Sequence, residues 1–125
     1  MPFRMLLDAG VARTEDVALV GARNLDPPEA AFVEKHGIDD SLDRALTGVD
    51  ATYVALDIDV LDPSEVDVLI PEPDGPSPGE IDALLRDIAG RTRIAGMGVT
   101  GGLATERNAA LSARMLRAAG FANGV

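Results

Sequence analysis

Three carboxylates close a short apolar run. In 53-YVALDIDVLDP-63, Tyr53, Val54, Ala55 and Leu56 lead into Asp57, Asp59 and Asp62, and Pro63 then breaks the pattern. The leading residues have the composition of a buried strand. Period-two geometry puts the side chains of Asp57 and Asp59 on one face as that strand finishes. In open α/β sheets, ligands bind outside the carboxyl ends of the strands. Two carboxylates so close repel each other unless a cation lies between them or one holds a proton. Hard divalent ions such as Mg²⁺ and Mn²⁺ prefer such oxygen donors. Asp57 and Asp59 are therefore candidate metal ligands. Asp62 differs, because Asp-Pro is an ordinary turn starter. The competing explanation is that all three merely solvate a strand-to-loop junction, where Asp is common. The D-x-D spacing by itself leaves both explanations open.

Composition narrows the partners. The chain has 125 residues, 46% of them hydrophobic and 26% charged, with a formal net charge of −10 and one histidine. Its length suits one domain with a real core, spanning 1–125. A chain so acidic repels phosphate backbones and anionic lipid, which excludes nucleic acid and membrane surfaces as expected partners. Cations and cationic small molecules such as amines and guanidines fit better. The absence of cysteine rules out disulfides, thiolate zinc sites and a cysteine nucleophile. No apolar run approaches the ~20 residues that span a bilayer. The opening MPFRMLLDAG is too short and too soon acidic for a signal peptide, so a cytoplasmic protein is expected.

The elements that must position the carboxylates follow from periodicity and punctuation. Residues 2–10 read as a short helix with Phe3, Met5, Leu6 and Leu7 near one face, ended by Gly10. The run 16-DVALVGAR-23 reads as a buried strand. Asp26 caps a helix that Pro27 opens and Gly37 closes, and a second short helix is expected over 40–48. The strand 52–58 follows, then an irregular loop over roughly 60–77. Ser77 and Glu80 form a capping box at the start of a helix over 78–90. A strand at 93–99 and an amphipathic helix over 105–120 finish the chain, with Ala109, Leu111, Met115 and Leu116 toward the sheet. Alternating strands and helices predict a three-layer α/β/α sandwich on a short parallel sheet containing 16–23, 52–58 and 93–99. No repeat, low-complexity tract or linker interrupts it.

Two families share the acidic motif. Haloacid-dehalogenase-like phosphatases end their first strand in D-x-D-x-T, but Val60 and Leu61 follow here, and the only lysine, Lys35, lies upstream. The longer match is 55-ALDIDVLDPSEVDVLIPEPDGPSPGEIDALL-85, which resembles the C-terminal half of the ureohydrolases, the arginases, agmatinases and formiminoglutamases. Asp57, Asp59, Asp62 and Pro63 fall on their S-x-D-x-D-x-x-D-P signature. Pro71, Glu72, Pro73 and Gly75 fall on the following proline- and glycine-rich loop, and Glu80 on the next helix. Pro2, Phe3 and Arg4 resemble the family's H-G-x-P-F segment, 20-VGARNLDPPE-29 its G-x-R-x-x-D-x-x-E turn, and the spacing of Arg114, Met115 and Leu116 its last helix.

The resemblance implies a partial arginase-like fold and a Mn²⁺-dependent hydrolase of guanidino C–N bonds. Family members hold two Mn²⁺ ions that share a bridging hydroxide, and Asp57 and Asp59 match one pair of their ligands. The family's early His and its D-x-H-x-D cluster have no counterpart. His36, in 34-EKHG-37, sits where it serves helix-end carbonyls or solvent rather than a metal. Ala55 replaces the usual Ser, the loop 64-SEVDVLI-70 lacks the A-P-G-x-G-x pattern, and 96-GMGVTGG-102 replaces the run that carries the guanidinium-orienting Glu. No catalytic residue is assigned, and at most one weakly held ion is expected. The expectations are a ureohydrolase-derived chain that is inactive alone, or a non-catalytic interaction or weak metal-binding module. The missing strands would leave a parallel edge bare, which favours a homo-oligomer or a partner chain carrying the other half.

Overall fold

The computed structural model describes residues 5, 7–22 and 25–121. They form two compact units, divided between Val49 and Asp50.

In the first unit, Met5, Leu7 and Asp8 are helical. Gly10 ends the turn at a φ of 73°, a left-handed value that glycine adopts without Cβ strain. The other residues of that expected helix, Pro2, Phe3, Arg4 and Leu6, lie outside the described residues. A 3₁₀ turn at Thr14–Asp16 precedes α1, Pro27–Lys35. Pro27 opens α1 where its missing N–H removes no bond, and the Glu29 carboxylate accepts from the Asp26 N–H at 3.4 Å. Helix α2 is Leu42–Leu46, with the Ser41 hydroxyl accepting from the Arg44 N–H at 3.2 Å.

The expected strand over 16–23 is not part of the sheet. Residues 17–20 have no strand pairing, and Arg23 lies outside the described residues. The reason is where the backbone finds its partners. The Arg44 guanidinium donates to the carbonyls of Thr14, Glu15 and Val17 at 3.2, 2.8 and 2.6 Å. The Leu19 N–H donates to the Asp39 carbonyl at 2.9 Å. An apolar run of this length reads as a strand, but long-range hydrogen bonds decide. Asp39 completes the clamp: bonds from the Arg44 side chain and the Ser41 N–H hold its carboxyl below the ordinary aspartate range.

In the second unit, β1 (Ala51–Asp57) and β2 (Arg93–Thr100) pair in parallel, with α3 (Pro78–Arg91) between them in sequence and α4 (Glu106–Ala118) after. Parallel strands joined through a helix, as expected, make this an α/β arrangement. The register runs Thr52↔Ile94 and then Tyr53↔Gly96, so Ala95 is an extra residue in β2. That bulge lets Ile94, Met97 and Val99 all pack against the core with Val54 and Leu56 of β1.

Ile58, Leu61, Val66, Ile81, Leu85, Leu111 and Met115 form the buried cluster under α3 and α4. Leu111 and Met115 face inward as anticipated, but Ala109 is exposed and Asn108 takes the inward position instead. The phase 108, 111, 115, 118 is the true inner stripe of α4. An Arg114 Nε–Asp82 Oδ2 bond of 2.6 Å joins α4 to α3. Ser77 caps α3 by accepting from the Glu80 N–H at 3.2 Å, and Glu80 answers by accepting from the Ser77 hydroxyl at 3.4 Å. On the opposite sheet face Tyr53 is exposed and lies over Gly96 and Gly98. A Cβ at Gly98 would stand 2.6 Å from its hydroxyl oxygen.

Candidate functional site

Asp57 is the last residue of β1, one position before the expected strand end. The chain then turns into a 3₁₀ segment, Ile58–Val60, and the Asp57 carboxylate caps it by accepting from the Asp59 N–H at 3.3 Å. Asp57 and Asp59 are thus neighbours through a turn, not through an extended strand. Ile58 and Leu61 anchor the turn. They are 2% and 0% exposed and point into the core, which leaves Asp57 exposed and Asp59 partly so. The sequence alternates acid and hydrophobe here because one side of the turn is core and the other is water.

The end of β2 supplies the wall. Thr100 pairs with Asp57, and Gly101 follows at a φ of 84°. A Cβ at Gly101 would lie 1.7 Å from Asp57 Oδ1, so the carboxylate occupies the space that glycine leaves. Gly102 is also tight, with Ile58 Cδ1 at 2.4 Å and Asn108 Nδ2 at 2.9 Å from where its Cβ would be. The glycines of 96-GMGVTGG-102 therefore have structural reasons, under Tyr53 on one side and against Asp57 and Ile58 on the other.

The loop after the carboxylates is closed at its base. The Asp62 N–H donates to the Pro76 carbonyl at 3.0 Å, and Gly75 lies so close that its Cβ would stand 2.3 Å from the Val60 carbonyl oxygen. Asp62 Oδ1 accepts from the Ser64 N–H and hydroxyl at 2.9 and 2.6 Å, which is the turn-forming role expected of it.

Residues that the sequence reading passed over tie this loop to α4. Asn108 Oδ1 accepts from the Asp67 N–H at 3.0 Å, while its Nδ2 donates to the carbonyls of Asp67 and Leu103 at 2.6 and 2.9 Å. Thr105 donates to the Asp67 carboxylate at 2.9 Å, and Arg107 donates to the carbonyls of Ser64 and Glu65. The signal was present: a polar residue one position from the assigned inner stripe, at the first turn of an amphipathic helix. A cavity of about 230 Å³ opens beside the network, lined by Ile58, Val99, Thr100, Gly102, Asn108 and Ser112 among others. Neither Asp57 nor Asp59 lines it.

Among the described residues, no three or more His, Asp and Glu side chains come together as a metal site. His36 belongs to the first unit, where its ring lies 4.4 Å from that of Phe32 at the end of α1. Two carboxylates within one turn, one of them seated in a glycine-made space, suit a share of a hard divalent ion's coordination. They do not suit a closed site.

Comparison with known proteins identifies the family and the fold. The model of the arginase family matches residues 1–101. A formimidoylglutamase from Halobacterium salinarum is 33% identical over 105 residues, which cover 70% of this chain and 33% of that protein. Among solved structures, a formimidoylglutamase from Bacillus subtilis superposes with a TM-score of 0.84 at 21% identity, over 95% of this chain and 44% of the other. The proclavaminate amidino hydrolase of Streptomyces clavuligerus gives a TM-score of 0.75 at 23% identity, over 94% and 46%. The chain thus spans about a third of the length of the curated relative and under half of these solved ones.

Proposed function

Because the chain belongs to the arginase family, we propose that it carries Asp57 and Asp59 as two ligands of a divalent-metal site that hydrolyses an amidino or guanidino C–N bond. The observation behind this reading is the seating of Asp57 against Gly101 at the carboxyl end of the sheet, with Asp59 one turn on. When bound, Mn²⁺ supplies Lewis acidity that makes water nucleophilic at neutral pH. The chain's own residues do the rest of what can be assigned. Asp57 and Asp59 contribute negative charge and oxygen donors, and the buried Ile58 and Leu61 fix the turn that presents them. The formimidoylglutamase relative makes a formimidoyl-substituted amino acid one substrate class, beside guanidines such as arginine and agmatine.

The described residues bring no third ligand to this pair, so this reading requires further donors, as from a longer polypeptide or an associated chain. A second reading, a non-catalytic interaction or weak metal-binding module, is favoured by 96-GMGVTGG-102, which places no carboxylate where the family orients its substrate. Activity separates them. The 125-residue chain with Mn²⁺ alone is expected to release no urea from arginine or agmatine, because too few ligands hold the metal. Mixed with a polypeptide supplying the D-x-H-x-D half, it is expected to release product, and Asp57→Asn to abolish that release. Product release by the pure chain contradicts the two-ligand account. No release in the complemented mixture favours the non-catalytic module.

A further inference from the structure

We infer that Asn108 is a positioning residue for the Asp57 carboxylate: it binds the turn 101–105 and the loop 64–67 into one wall behind the Asp57–Asp59 pair. The inference rests on the reading of those two aspartates as metal ligands. Three observations carry it.

First, the Asn108 side chain is buried, at 4% exposure, and its hydrogen-bonding capacity is committed. One acceptor takes the Asp67 N–H, and the two amide hydrogens serve the carbonyls of Asp67 and Leu103. Two carbonyl partners and one N–H partner also fix which end of the amide is nitrogen. Second, these bonds are not a helix cap. Thr105 performs that role by accepting from the Asn108 N–H at 3.2 Å. The Asn108 side chain instead reaches a loop 41 positions away in sequence. Third, the network touches the carboxylate turn by packing. Gly102 is pressed between Asn108 Nδ2 and Ile58 Cδ1, and Ile58 is the residue between Asp57 and Asp59. Gly101, next in the chain, is the surface against which the Asp57 carboxylate rests. The Leu103 N–H, held to the Asp67 carbonyl at 3.0 Å, closes the same ring.

Removing the amide takes one partner from the Leu103 carbonyl and from the Asp67 N–H, and leaves the Asp67 carbonyl held only by the Leu103 N–H, so the turn 101–103 loses most of its tie to the loop. The Asp57 carboxylate then loses its backing. Partners that orient metal ligands without touching the metal change affinity by about tenfold to a hundredfold when removed.

The test uses the full chain and Mn²⁺, with water-proton relaxation reading the dissociation constant and amide hydrogen exchange reading the turn. Asn108→Ala is expected to weaken Mn²⁺ binding by about tenfold or more and to speed exchange at Leu103 by a similar factor. Ile88→Ala, a buried change on α3 outside the cluster that holds Ile58, is expected to lower Tm while leaving Mn²⁺ affinity within about twofold. Asn108→Gln keeps the amide on a longer stem and serves where the alanine variant does not fold, with the same loss expected. Wild-type affinity in a folded Asn108 variant overturns the inference, as does an equal loss in Ile88→Ala. Asp57→Asn distinguishes the underlying reading. If it leaves Mn²⁺ affinity unchanged, the ligand assignment falls, and the positioning role with it.

Discussion

Leu61→Ala is expected to destabilise the 50–125 unit by about 2–5 kcal/mol, the range for truncating a fully buried leucine. For a unit of this size, each kcal/mol lowers Tm by roughly 4–8 °C. Leu61 is 0% exposed and belongs to the cluster with Ile58, Val66, Leu85 and Met115. It also lies between Asp59 and Asp62, where the chain leaves the 3₁₀ turn and its N–H donates to the Ile58 carbonyl at 3.2 Å. Its burial draws the loop base inward, where the Asp62 N–H meets Pro76. The variant thus removes core volume and loosens the exit from the site together. Denaturant unfolding measures the loss. A cost below about 1 kcal/mol would show that Leu61 is not the anchor its burial indicates.

Gly101→Ala is expected to have the largest effect on the site itself. Alanine at a left-handed φ costs about 1–2 kcal/mol, and at Gly101 the new Cβ also collides with the Asp57 carboxylate. The carboxylate is the more mobile partner, so it swings away, and Mn²⁺ binding is expected to be lost. Gly48→Ala supplies the control. Gly48 has a φ of 73° with nothing within 4 Å of an added Cβ, so it carries the backbone strain without the collision. Gly48→Ala should lower stability by a similar amount and leave Mn²⁺ binding intact. If both variants bind Mn²⁺ as the wild type does, the glycine-made seat for Asp57 is unimportant.

The elements legible in the sequence were those with strong local signals. Asp26 with Pro27, and Ser77 with Pro78, marked two helix starts within a residue of where they occur. The alternation of acid and hydrophobe in 56-LDIDVLD-62 marked the strand end within a residue. What the sequence hid depends on distant partners. Residues 17–20 have strand-like composition, but Arg44 and Asp39 take their backbone groups. The extra residue Ala95 changes which side chains of β2 face inward, and no local motif announces it. Asn108 was missed because its partner Asp67 is 41 residues away, and because alanines on both faces of α4 left its phase ambiguous by one position. The glycines of β2 looked like a lost functional run, whereas Gly98 also makes room for Tyr53 and Gly101 for Asp57.

The most direct test of the two-ligand claim is the Mn²⁺-induced thermal shift of the full chain, compared across wild type, Asp57→Asn, Asp59→Asn and Asp62→Asn. Each asparagine keeps the size and removes the charge. A shift is expected in the wild type, and Asp57→Asn and Asp59→Asn are each expected to abolish it. Asp62→Asn is expected to retain the shift, because the Asp62 carboxylate holds Ser64 in a turn. A shift that survives Asp59→Asn, or one that disappears only with Asp62→Asn, would contradict the two-ligand claim.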